Sequence, residues 1–177
     1  REAQLVASIQ SPKVVQIHDV IESNEHLAMV MEYVPGCDLE EFLASVRPSL
    51  SSILTVCADI AGALTAARQQ HIVHGDLKVA DFGIAKAENS LYNTKDGVLK
   101  GKFEYMSPEQ IRGGEIDHRT DLFSVGVMMY QMLTGRFPFH GKSYGDTIRR
   151  ILDEPPSHMR QGESESPRGD LESIILT

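Results

Sequence analysis

The two long strand-forming segments of this 177-residue chain fall in its first third, and the periodic segments that dominate the rest are helical. That separation points to an α+β fold. Arg1 to Ile9 reads as the end of a helix with Leu5, Val6 and Ile9 on one face, stopped at Ser11-Pro12. Val14 to Ile21 is β-branched and partly alternating, and Leu27 to Val34 is a second, more apolar strand. With Ser23-Asn24-Glu25 as the turn, the two predict an antiparallel hairpin. Pro35-Gly36 breaks it, and Asp38 is placed to cap a short helix.

In Ser51 to Gln70, Ile53, Val56, Cys57, Ile60 and Leu64 recur at helical spacing. His71-Ile72-Val73 is expected as a short strand. From Gly83 to Gly101 the chain is polar, as a loop should be. A helix is expected to start at Thr120 or Asp121 and to end at Gly135; its middle, Phe123 to Leu133, is apolar almost all round and should be buried. Ser143 to Asp153 reads as an amphipathic helix stopped by Pro155-Pro156. Gln161 to Asp170 is a polar linker, and Leu171 to Leu176 opens a final helix.

Asp plus Glu number 25 against 17 Lys plus Arg, a net charge of -8, which argues against nucleic-acid or anionic-membrane binding through bulk charge. Cys37 and Cys57 lack metal-ligand spacing and read as reduced thiols of a cytoplasmic protein. The longest apolar run, Ser124 to Leu133, is too short to span a bilayer, so no membrane segment is expected.

Three motifs follow one another: His74-Gly75-Asp76-Leu77-Lys78, Asp81-Phe82-Gly83 and Ser107-Pro108-Glu109. Asp-Phe-Gly alone reads as a surface turn; the order of all three is what carries information. That order resembles the catalytic loop, metal-binding turn and activation-segment end of eukaryotic-like serine/threonine protein kinases. Met106 to Gln110 and Asp121 to Gly126 look most like the bacterial members. The resemblance runs from Arg1 to about Pro156 and implies a protein kinase-like fold. It divides the chain into a partial β-containing N-lobe, residues 1–34, with a hinge at 31–36, and a mostly helical C-lobe, 37–177, truncated at its C-terminus.

In-line phosphoryl transfer needs positioning, metal ions and a base near the attacking hydroxyl. The resemblance implies ATP and Mg²⁺ as cofactors and a Ser/Thr hydroxyl of a protein as acceptor. It makes Asp76 the base and directs Lys78 at the transferred phosphate. Asp81 becomes the Mg²⁺ ligand, with Phe82 packing behind it and Gly83 permitting the turn. Glu2 resembles the helix residue that pairs with an ATP-binding Lys. Met31 resembles the gatekeeper, with backbone groups of Glu32 and Val34 bonding adenine, and Asp121 resembles the acid that braces the catalytic loop. Each of these has a plainer role: a solvated helix charge for Glu2, core strand for Met31 to Val34, a helix cap for Asp121.

The chain also departs from the pattern. The Gly-rich loop and Lys-bearing strand expected ahead of Arg1 are absent from it, so it is expected to be an incomplete domain whose hairpin keeps an unpaired, apolar edge. The family's metal-ligating Asn belongs five residues after the base, a count that lands on Asp81 itself. Either the connecting hairpin is absent from the protein or the sequence runs on across residues it omits; five steps span at most roughly 17 Å, so closure remains possible. Gly75 replaces the usual Arg, weakening switching by phosphorylation at Ser90, Tyr92 or Thr94. Lys102 stands where the family has Thr, and the Arg partner of Glu109 is expected beyond Thr177. Two other functions compete: a catalytically dead pseudokinase that binds proteins, and a small-molecule phosphotransferase, a class that also uses His-Gly-Asp but generally lacks the Ser-Pro-Glu element.

Overall fold

The computed structural model describes residues 9, 11–22, 27–37, 39–77 and 103–159. The expected helix before Ser11, the turn at 23–25, the Asp38 cap, the loop after Gly83 and the final helix lie outside them.

Strands β1 (Ile17–Glu22) and β2 (Leu27–Met31) form an antiparallel pair, with Ile21 opposite Ala28 and Val20 opposite Met29. Both are shorter than their apolar runs. The register slips between Ile17 and Asp19, and the bonding ends with the Glu32 amide on the Gln16 carbonyl at 2.9 Å. Ile21, Met29 and Val30 are exposed, on a sheet that has two strands among the described residues.

Helix α1 (Leu39–Ser45) leads to the long helix α2 (Leu50–Gln69). Ser49 caps α2 by accepting the Ser52 amide at 3.1 Å. Its buried residues, Ile53, Ile60 and Ala67, lie two turns apart on one face. Burial of Ile53 and Ile60 stabilises the fold by roughly 1.5–3 kcal/mol each. Contrary to the expectation set by Ser124–Leu133, α2 is long and apolar enough to cross a membrane by length and composition alone. Its twenty residues carry only Asp59 and Arg68 as charges. Here Ile53 and Ile60 belong to the core cluster, and Asp59 pairs with Lys13.

His71-Ile72-Val73 is not a strand, because its backbone donors are used elsewhere. The His71 amide bonds the Arg68 carbonyl at 2.9 Å and the Ile72 amide the Ala67 carbonyl at 3.0 Å. This is a Schellman ending with His71 in the left-handed region, φ 58°.

A 3₁₀ turn (Phe103–Tyr105) precedes the short helix α3 (Pro108–Ile111). Helix α4 (His118–Thr134) starts earlier than expected, because Asp117 is its cap; Gly135, in the left-handed region, ends it as expected. Across Phe123–Leu133 no residue is exposed, and Ser124, Val127, Met128, Tyr130 and Met132 are buried, as expected of the apolar middle; Leu122, just before it, is exposed. Helix α5 (Tyr144–Asp153) is capped by Ser143, as its pattern predicts. Helices α2 and α4 pack together, and their core cluster takes in Leu39, Leu77 and Tyr105. Tyr105 meets Phe137 edge-on at 5.3 Å.

Candidate active site

The loop that carries Asp76 leaves α2 and passes over the N-terminus of α4. Asp121, in the first turn of α4 and 3% exposed, accepts the His74 amide at 2.9 Å and the Gly75 amide at 2.8 Å, one on each carboxylate oxygen. A buried carboxylate offers acceptors only, so two converging amides satisfy it. The bracing role implied for Asp121 is met, in place of the plain helix cap; Asp117 takes the capping role.

Gly75 sits at φ 69°, where a side chain is strained. This reversal redirects the chain that follows the two bonded amides. Immediately after it, Leu77 is 4% exposed and locked in the core. Asp76 stands half-buried between the two anchors. Its own amide lies 3.4 Å from His74 Nδ1.

The third motif is joined to the same loop. Ser107 and Gln110 make a capping box around α3: the Gln110 amide donates to Ser107 Oγ at 3.4 Å and the Ser107 amide to Gln110 Oε1 at 2.9 Å. Gln110 Nε2 then donates to the Gly75 carbonyl at 2.6 Å. Thr120, fully buried, donates to Glu109 Oε1 at 2.7 Å. Burial acts to raise the Glu109 carboxyl, but bonds from Thr120, its own amide and Ser107 outweigh it and leave the group below the ordinary carboxylate range. Among the described residues Thr120 and Ser107 hold the Glu109 carboxylate through their side chains. Glu109 also lines a cleft of about 290 Å³ with Glu115, Asp117 and Arg119. There the Arg119 side chain, followed by its amide, holds the exposed Asp117 carboxyl at about 2.

Sequence reasoning missed the two cross-links, Gln110 to Gly75 and Thr120 to Glu109. The capping box itself was readable, since Ser107 and Gln110 stand at its spacing.

At the other candidate subsite, the ladder ends at the Glu32 amide. The backbone from the Glu32 carbonyl to the Val34 amide therefore lies past β1, and its polar groups suit the edge of a base. Met31 is half-buried and Tyr33 exposed. Glu2, Lys78, Asp81, Phe82 and Gly83 lie outside the described residues. Among the described residues, no group of three His, Cys, Asp or Glu side chains forms a metal centre.

The chain belongs to the protein kinase domain family, whose pattern it matches over residues 1–171. It is 35% identical over 191 residues to serine/threonine-protein kinase PrkC of Bacillus subtilis, covering 99% of this chain and 29% of the relative. Serine/threonine-protein kinase PknL of Mycobacterium tuberculosis is 36% identical over 166 residues, covering 86% of this chain and 42% of the relative. Tyrosine-protein kinase MasK of Myxococcus xanthus is 34% identical over 207 residues, covering 99% and 31%. The chain thus spans about 29–42% of the length of these relatives. The PrkC match is longer than the 177 residues of the chain, so the relative carries residues with no counterpart here.

Proposed function

We propose that this chain is the core of a serine/threonine protein kinase domain, moving the γ-phosphoryl group of ATP to a Ser or Thr hydroxyl of a protein. The observation that carries the reading is the double hydrogen bond from the His74 and Gly75 amides to Asp121. It ties the backbone just before Asp76 to the rigid start of α4. A carboxylate so held can accept the hydroxyl proton and aim the nucleophile. Lys78 balances charge on the transferred group. Asp81, with Phe82 and Gly83, holds the metal, and Glu2 pairs with an ATP-binding Lys. The Glu32 carbonyl and Val34 amide grip adenine beside Met31. Bound Mg²⁺-ATP supplies the phosphoryl group and neutralises charge as it is transferred. We assign residues 1–34 to the N-lobe and 37–177 to the C-lobe, with the hinge at 31–36, in a cytoplasmic setting where ATP is available. Lys78 favours Ser/Thr over Tyr as acceptor.

The test is phosphate incorporation into a generic protein substrate with Mg²⁺ and labelled ATP. Asp76→Asn is expected to lower it by about 100-fold or more. Incorporation that survives this change removes Asp76 as the base.

A second reading, a pseudokinase that docks proteins, is favoured by the coincidence of Asp81 with the expected position of the metal-ligating Asn. It predicts a folded protein with no turnover, and Asp76-dependent incorporation excludes it. The bond from α3 to the catalytic loop counts against a small-molecule phosphotransferase, because it gives the Ser-Pro-Glu element a built-in place.

A further inference from the structure

We infer that Gln110 is a positioning residue for Asp76, acting through the Gly75 carbonyl; the activity part of this inference rests on the kinase reading above. Asp121 fixes the His74 and Gly75 amides, but neither bond fixes the next peptide unit, which joins Gly75 to Asp76. That unit can still rotate about the last backbone dihedral of Gly75, and a glycine resists such rotation least. With Leu77 anchored in the core, the motion left to that unit is a turn between the Gly75 and Asp76 α-carbons, which tilts the backbone that carries the Asp76 carboxylate.

Gln110 Nε2 removes this freedom by donating to the carbonyl of that very peptide at 2.6 Å. On its other side the unit has the Asp76 amide 3.4 Å from His74 Nδ1, a much longer contact. The Gln110 side chain cannot be turned over without loss. Its Oε1 is engaged by the Ser107 amide at 2.9 Å, so both ends of the carboxamide are matched to their partners. The Ser107 end is also firm: that residue is fully buried, and its Oγ lies 3.5 Å from Thr120 Oγ1. Thr120 and Asp121 are adjacent, so one turn of α4 holds α3 through Glu109 and the catalytic loop through Gly75. Gln110 closes the triangle between them.

Gln110→Glu separates the two bonds. It keeps an oxygen for the Ser107 amide and places the other against the Gly75 carbonyl, where a donor stood. We expect kcat to fall by about 100-fold with KM for ATP within about twofold, because orientation is lost and nucleotide binding is not. Independently of activity, amide hydrogen exchange across residues 74–77 should speed up by about tenfold while α2 and α4 keep their protection. Unchanged exchange at 74–77 in a folded Gln110→Glu protein overturns the inference, and so does a kcat within about twofold of the parent. If Gln110→Glu does not fold, Gln110→Met, of similar length and without either polar end, is judged by the same exchange readout. Failure of both to fold also overturns the inference, since Gln110 is then needed for folding itself. A parent protein without phosphoryl transfer sinks the kinase reading alone, and exchange then decides the role of Gln110.

Discussion

Asp121 accepts the Gly75 amide at 2.8 Å across 46 residues of sequence, and its second oxygen takes the His74 amide at 2.9 Å. Asp121→Asn keeps one acceptor and turns an NH₂ group toward the second amide, so one buried donor loses its partner. The expected cost is about 1–3 kcal/mol, more for Asp121→Ala, measured by urea unfolding. An Asn variant as stable as the parent would show that the two bonds contribute nothing net.

Thr120 and Glu109 form the companion contact. Thr120→Val preserves shape but deletes the hydroxyl that donates at 2.7 Å from a fully buried residue. A loss of about 1–3 kcal/mol is expected at about pH 7. The sign with pH follows from the carboxyl being held below its ordinary value. Its contribution is present above the unfolded carboxylate pKa and fades as pH falls through the lower folded value. The gap between parent and Thr120→Val should therefore shrink on acidification, and paired unfolding curves at about pH 7 and about pH 3 read it directly. A gap that widens in acid would remove the Thr120 bond as the cause.

How much of this was legible from the residues varies by element. Helix α5 was readable at both ends, because Ser143 is a strong cap and Pro155-Pro156 a strong stop. The start of α4 was not, because Asp117, Thr120 and Asp121 are all capping types. Only tertiary structure shows that Asp117 caps while Thr120 and Asp121 turn inward. His71-Ile72-Val73 looked like a strand because β-branched residues suit one, yet the helix end consumes the His71 and Ile72 amides that a ladder needs. The Asp76 loop and its brace were legible through family resemblance. The Gln110 bond to Gly75 joins residues 35 apart and leaves no local signal.

His71 holds a left-handed conformation at the end of α2, with φ 58°, where glycine is the usual occupant. A β-carbon there costs about 1–2 kcal/mol, part of which returns as the greater entropy of glycine in the unfolded chain. His71→Gly is expected to stabilise the protein by about 0.5–1 kcal/mol, seen as a rise in the urea midpoint at unchanged slope. The side chain is exposed, so little packing is lost. A lowered midpoint would mean that the imidazole makes contacts worth more than the strain.

Two glycines near the helices should respond in opposite directions when an alanine is placed there. Gly141 precedes α5 and its amide donates to Thr147 Oγ1 at 3.1 Å. A β-carbon at Gly141 falls 2.5 Å from the Thr147 nitrogen and 2.7 Å from the Asp146 carbonyl carbon, both backbone atoms of the first turns of α5. Those atoms cannot yield without loosening the Ser143 cap and the Asp146 bond to the Lys142 amide at 3.0 Å. Gly141→Ala should destabilise by about 1–3 kcal/mol through overpacking alone. Gly126, inside α4, has nothing within 4 Å of the same added carbon. Gly126→Ala should instead stabilise by about 0.5–1 kcal/mol, because alanine loses less backbone entropy in a helix. Thermal unfolding of the two variants beside the parent decides the matter: equal shifts, or shifts of the same sign, would show that close approach at α5 is not what selects glycine at position 141.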